Sequence, residues 1–148
     1  MAGCKEADVQ RAAIWANFAM TNYISDSLVV RLPGEEKPTT TEAQWASAAR
    51  RLPPLLNALK PTHVLVLGKT TLIEKVKAGL SLTAAYPYSV GDENLFYYCW
   101  KGASGQTILL TSINHPSGSY GYKWQDWHPR VQAFFALPLP DWPSHLIG

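Results

Sequence analysis

VLVLGKTTLIEK, residues 64–75, decides how this chain is read. Its centre, Gly68-Lys69-Thr70, matches the end of a phosphate-binding loop. Such a loop also needs a glycine five positions before Gly68, so that successive backbone N–H groups can turn inward around a phosphate. That position is His63, and Val64, Leu65, Val66 and Leu67 fill the interval. An apolar, partly β-branched run prefers an extended strand, and a strand cannot also be the cradle. The segment therefore reads as strand, glycine turn, helix. The strand is expected over His63–Leu67, buried on both faces, and the helix over Thr71–Ala78 with Gly79 at its C-terminal end.

On the N-terminal side, Thr39-x-x-Glu42 and Thr41-x-x-Gln44 both fit a capping box, in which side chains satisfy the orphan N–H groups of a first helical turn. Trp45, Ala49, Leu52, Leu56 and Leu59 follow at helical spacing. Pro53-Pro54 is expected to kink or restart this helix, and Pro61 to end it. LPGEEKPTTT, residues 32–41, reads as a surface loop. Residues 6–20 favour a helix with Val9, Ala13, Ala16 and Met20 on one face, although ANFAMTNYI fits equally a strand that follows a helix.

On the C-terminal side, Leu95–Trp100 and Thr107–Ile113 read as strands joined by KGASGQ, a length and glycine content that suit an antiparallel hairpin. Asp126 precedes a last helix, with Pro129 in its first turn and Val131, Phe134 and Phe135 facing inward. The tail LPLPDWPSHLIG is too rich in proline to be regular. No internal repeat is present, and helices alternating with strands make residues 1–148 a single α/β domain, one sheet with helices on its faces.

The bulk properties exclude several classes. With 148 residues, 47% hydrophobic and 16% charged, the chain can build one core and is not a disordered segment. A formal charge of +2 does not by itself demand nucleic acid, and the Arg50-Arg51 and Lys69, Lys75, Lys77 groups read as solvated surface. Cys4 and Cys99 offer neither metal spacing nor a disulfide framework, so a reduced, cytoplasmic protein is expected. No signal peptide, membrane span or membrane partner is expected. His63, His115, His128 and His145 lack metal-site spacing, no cofactor motif is found, and no metal site is expected. His63, beside a buried strand, reads as a satisfied structural histidine. Gly102-Ala103-Ser104-Gly105 is a hairpin loop rather than a nucleophile elbow. The acidic pairs Glu35-Glu36 and Asp92-Glu93 fall in loops. Trp100, Trp124, Trp127 and Trp142, with Tyr86, Tyr88, Tyr97, Tyr98 and Tyr122, suit base stacking in type, but most read as packing aromatics.

The segment with the most chemistry is INHPSGSYGYKW, where a strand runs into Asn114-His115-Pro116-Ser117-Gly118-Ser119 some ten residues before a helix. Open α/β sheets bind ligands at strand C-termini. A stiffened turn carrying a histidine, a hydroxyl and backbone donors suits that role, and suits a purely structural turn as well.

Taken in order, FAMTNY (Phe18–Tyr23), LLNALKPTHVLVLGK (Leu55–Lys69), INHPSGSYGYKW and WHPRVQAFF resemble the uracil-DNA glycosylase superfamily over roughly residues 15–136. The resemblance implies an open, mostly parallel sheet flanked by helices, with a reduced strand count and a C-terminal hairpin. It implies DNA as partner and hydrolytic removal of a damaged base. His115 matches the family histidine that donates to the uracil oxygen as charge develops on the leaving base, and such a preorganised donor is worth ~3–4 kcal/mol in a transition state. Asn22 matches the asparagine that reads the pyrimidine edge. Pro116, Ser117, Gly118, Ser119 and Tyr120 match the loop that presses on DNA during nucleotide extrusion, with Tyr120 as its one bulky member. The family's Gly-x-Asp-Pro-type loop has no counterpart before FAMTNY, where Asp8 reads as a helix-surface residue. A truncated or rebuilt member is implied, either catalytic or a non-catalytic nucleic-acid- or protein-binding protein. An exposed strand edge in such a member would favour a homodimer.

Overall fold

A computed structural model describes residues 17–24, 40–115 and 123–140. Most of the helix expected over 6–20, most of the 32–41 loop, Asp8, Glu35-Glu36 and the extrusion loop Pro116–Tyr120 lie outside the described residues. The elements run α1 (Glu42–Leu59), β1 (His63–Leu67), α2 (Thr71–Gly79), β2 (Tyr86–Val90), β3 (Glu93–Lys101), β4 (Thr107–Ile113) and α3 (Trp124–Phe135).

Helix α1 starts at the second of the two candidate caps. The Thr41 hydroxyl accepts from the Gln44 backbone N–H at 3.2 Å, and the Gln44 side-chain Oε1 accepts from the Thr41 N–H at 2.9 Å. Of the kink or restart expected at Pro53-Pro54, the restart does not occur, since the helix runs on through both prolines. Neither proline can donate to the carbonyl four residues back, so that loss is borne by the rest of the helix, which buries Ala48 and Leu56. Lys60 turns left-handed (φ 48°) and its N–H closes on the Leu56 carbonyl at 2.9 Å. Pro61 follows, disfavouring a further α-helical residue before it.

The sheet order is β1-β4-β3-β2. The β1–β4 pair is parallel, with Leu67 opposite Ile113, whereas β3–β4 and β2–β3 are antiparallel. Among the described residues the sheet is therefore mixed rather than mostly parallel. The antiparallel share comes from the expected β3–β4 hairpin and from β2, which the sequence reading left out. Tyr86, Tyr88 and Val90 face inward in alternation, and a two-residue Gly91-Asp92 turn with Gly91 at φ 59° leads into β3. Glu93 is thus the first residue of a strand rather than part of a loop. Pro87, which has no N–H to donate, sits in this edge strand, where proline is tolerated. Strand β1 is the opposite edge, so only Val66 of its apolar run is fully buried.

Alternation along β4 divides the core into two layers. Ile108 and Leu110 join Val66, Leu56, Ile73, Val76 and Leu80 in one cluster, so α1 and α2 cover that face. Leu109, Thr111 and Ile113 point to the other face, where α3 lies and Phe134 is buried to 0% exposure. There the Phe134 ring meets His63 edge-on at 5.2 Å and Tyr88 at 6.3 Å. Phe135, expected inside, remains 43% exposed, because adjacent helical positions point about 100° apart and Phe134 takes the sheet side. Pro129 lies in the second turn of α3 rather than the first.

His63 ties the two ends of this layer together. Its Nε2 donates to the Leu137 carbonyl at 3.1 Å, leaving Nδ1 to accept from the Thr62 hydroxyl at 3.0 Å. Burial lowers its pKa, partly offset by the Leu137 hydrogen bond, so the neutral ring is favoured. His63 is a satisfied structural histidine, as its place in the sequence suggested.

Candidate functional site

Because β1 and β4 are parallel, their C-terminal ends open on the same side of the sheet. The Gly68 N–H donates to the Ile113 carbonyl at 2.9 Å, fastening the turn after β1 to the end of β4. Lys69 follows Gly68 directly, and Asn114 and His115 follow Ile113, so the two turns leave side by side. A Cβ on Gly68 would stand 2.8 Å from the Leu72 Cβ, which explains the glycine where the chain enters α2. His115 is exposed at this position.

Helix α3 brings a third element to the same end. The Lys69 ammonium lies 5.6 Å from the Trp127 ring centroid, and the Arg130 guanidinium lies 4.6 Å from it. Arg130 also donates to both carboxylate oxygens of Glu93, at 2.7 and 2.8 Å, clasping α3 to the start of β3. Trp127 is 7% exposed and belongs to the packing, while Trp124, one turn earlier, is 50% exposed and meets His128 at 5.4 Å. His115 and Lys69 are exposed at this sheet end, and the exposed Lys123 and half-exposed Trp124 begin the helix whose Trp127 meets Lys69.

Asn22 is held differently. Residues 18–22 carry no strand, and Phe18 and Met20, which a strand would alternate inward, are 47% and 70% exposed. The segment is fixed through Tyr23, whose hydroxyl donates to the Lys75 carbonyl of α2 at 3.3 Å and whose ring meets Trp45 of α1 at 6.0 Å. The same hydroxyl lies against Gly79, so close that a Cβ there would be 3.2 Å away. Gly79 is the last residue of α2, about 12 Å of helical rise from Thr71 at the sheet end. Asn22 is exposed beside this anchor on the α1–α2 layer rather than at the end of a strand. The strand end that the resemblance implied for Asn22 is thus an irregular segment.

The lysine group read as surface is mostly engaged locally. Lys75 pairs with Glu42 at 3.1 Å and Lys77 with Glu74 at 2.9 Å, leaving Lys69 as the member turned toward α3. Trp100 and Tyr98 pack against the core, and Tyr86 stacks on Tyr97 at 5.6 Å across the β2–β3 pair, so most of the candidate stacking aromatics are structural. Sequence reading did not single out the approach of Lys69 to Trp127, nor the pairing of Trp124 with His128. The signal for the second was the i, i+4 spacing of Trp124 and His128, which puts those two rings on one helical face.

Among the described residues, no three His, Cys, Asp or Glu side chains are grouped to hold a metal ion. No described helix is long and apolar enough to cross a membrane. Comparison with family models, with characterised proteins and with solved structures finds no match to this chain.

Proposed function

We propose that this chain is a uracil-DNA glycosylase-like protein that engages a nucleic-acid base at the C-terminal end of the β1–β4 pair, with His115 as the group that meets the base. The observation that supports it is the Gly68 N–H to Ile113 carbonyl bond of 2.9 Å, which sets the Gly68-Lys69 turn beside the turn that carries His115. With α3, three of the four segments that resemble the superfamily then converge on one sheet end, the location where open α/β sheets take ligands. An imidazole N–H directed at a pyrimidine carbonyl oxygen would hold the base, and would stabilise it as a leaving group if the glycosidic bond broke. Lys69 and Lys123 would face the phosphates.

The position of Asn22 favours a non-catalytic form of this reading, in which base binding persists without excision. The implied homodimer would form through β1 in preference to β2, since Pro87 removes a ladder donor from the latter edge.

Binding and base release separate these outcomes. Oligonucleotides containing one uracil are expected to bind with a log–log salt slope of about −1.4, the value for two phosphate contacts on a single strand. His115→Ala should abolish the preference for uracil over an abasic site without changing that slope. Alkali-sensitive cleavage after incubation with excess protein, lost in His115→Ala, would assign excision, whereas binding without cleavage would assign the non-catalytic form. No binding at low salt would overturn the proposal.

A further inference from the structure

We propose that Trp124 is a stacking platform for one unpaired base, which makes single-stranded or locally opened nucleic acid, rather than closed duplex, the ligand of this sheet end. The inference rests on the reading above that the sheet end binds nucleic acid, and adds the class of ligand and the residue that selects it.

The large side chains of α3 divide by what they touch. Trp127 and Phe134 are buried against the sheet, at 7% and 0% exposure. Phe135 is partly exposed, yet its ring rests on His63 at 5.7 Å and on Phe134 at 5.4 Å. Trp124 is 50% exposed, and its ring partner among the described residues is His128, tilted by 54° at 5.4 Å. His128 is itself exposed and stands four residues on, so it props the indole from one side while half of the Trp124 surface is open to solvent. An aromatic ring restrained in this way loses less rotamer freedom when a ligand stacks on it.

The charges around it among the described residues fit a polyanion, and they are few. Lys123 is the exposed residue immediately before Trp124. The Lys69 ammonium is held over Trp127, one helical turn from Trp124. Arg130 is committed to Glu93, and the exposed Asp126 in the same turn opposes a phosphate. The two cations available among the described residues give weak electrostatic attraction, so a useful affinity has to come from ring stacking. Duplex bases keep their faces inside the helical stack and offer only edges and phosphates, on which Trp124 has no purchase. An unpaired base offers its face.

The test is fluorescence anisotropy of a short fluorescein-labelled oligothymidylate and of a labelled hairpin duplex of the same sequence class. Wild type, Trp124→Ala and Trp124→Phe would be compared at low salt, with thermal melts showing that each variant folds. Trp124→Ala should weaken single-strand binding roughly 5- to 150-fold, the range for one base–aromatic stack. Trp124→Phe should keep most of the affinity. The salt slope should not change, because no phosphate contact is removed. Equal single-strand affinity in wild type and Trp124→Ala, or an equal loss on single strand and duplex, overturns the platform and leaves nucleic-acid binding standing. Failure of the wild type to bind either probe overturns both the platform and the reading on which it rests.

Discussion

Replacing Phe134 by alanine should cost more stability than any other single change in α3. The ring is fully buried and lies within 6.3 Å of two rings from the sheet, His63 at 5.2 Å and Tyr88 at 6.3 Å. Removing such a ring forfeits its transfer free energy and leaves a cavity that its neighbours fill only in part, together about 3–5 kcal/mol. For a chain of this length that corresponds to a fall in melting temperature of roughly 6–20 °C. Phe135, the next residue, is 43% exposed, and Phe135→Ala should cost under about 1.5 kcal/mol. Urea denaturation of both variants, followed by far-UV circular dichroism, measures the difference directly. Equal losses for the two variants, or a loss below about 1.5 kcal/mol for Phe134→Ala, would refute the rotation of α3 described above. The position of Trp124 would fall with it, since it depends on the same rotation.

Three further outcomes are expected. Gly68→Ala should destabilise by about 1–3 kcal/mol in the same urea assay, because its Cβ would meet the Leu72 Cβ at 2.8 Å where α2 begins. Pro54→Ala should stabilise by about 1–3 kcal/mol, since Pro54 is exposed inside α1 and alanine restores an N–H for the Arg50 carbonyl. Burial lowers the folded-state pKa of His63 below its ordinary value of 6.5, so its contribution to stability is fully present above 6.5 and is lost as pH falls through the lower folded value. Urea midpoints measured below pH 6.5 should therefore drop in the wild type, and drop less steeply in His63→Gln.

Much of the fold was legible because local signals agreed with burial. The Thr41–Gln44 box, the apolar run ending at Gly68 and the glycine-containing 102–106 connection each specify one conformation through backbone chemistry, and each formed as read. What was missed depended on position in the sheet. YPYSV hides its strand because Pro87 interrupts a β pattern, and only the edge location makes that proline harmless. An uninterrupted apolar β1 implied burial on both faces, yet an edge strand is covered on fewer sides than a central one. Phe134 and Phe135 are indistinguishable by composition, and helical phase alone separates them. Of the candidate site, the His115 turn could be placed because it follows a strand whose apolar pattern is plain. Asn22 could not, since FAMTNY alternates like a strand but forms none, with Phe18 47% and Met20 70% exposed. The meeting of Lys69 with Trp127 was out of reach of sequence, because it joins two segments nearly sixty residues apart across the sheet end.

The central claim, that a base is held at the C-terminal end of the β1–β4 pair, is tested most directly by photocrosslinking. A single-stranded oligonucleotide carrying one 5-iodouracil would be irradiated in complex with the full chain, and the adduct mapped by mass spectrometry of the digested protein. Adducts on the peptides that hold His115 or Trp124, reduced by excess unlabelled uracil-containing oligonucleotide, are the predicted result. Adducts confined to the α1–α2 layer around Tyr23 and Trp45, or to the β2–β3 hairpin, would contradict it.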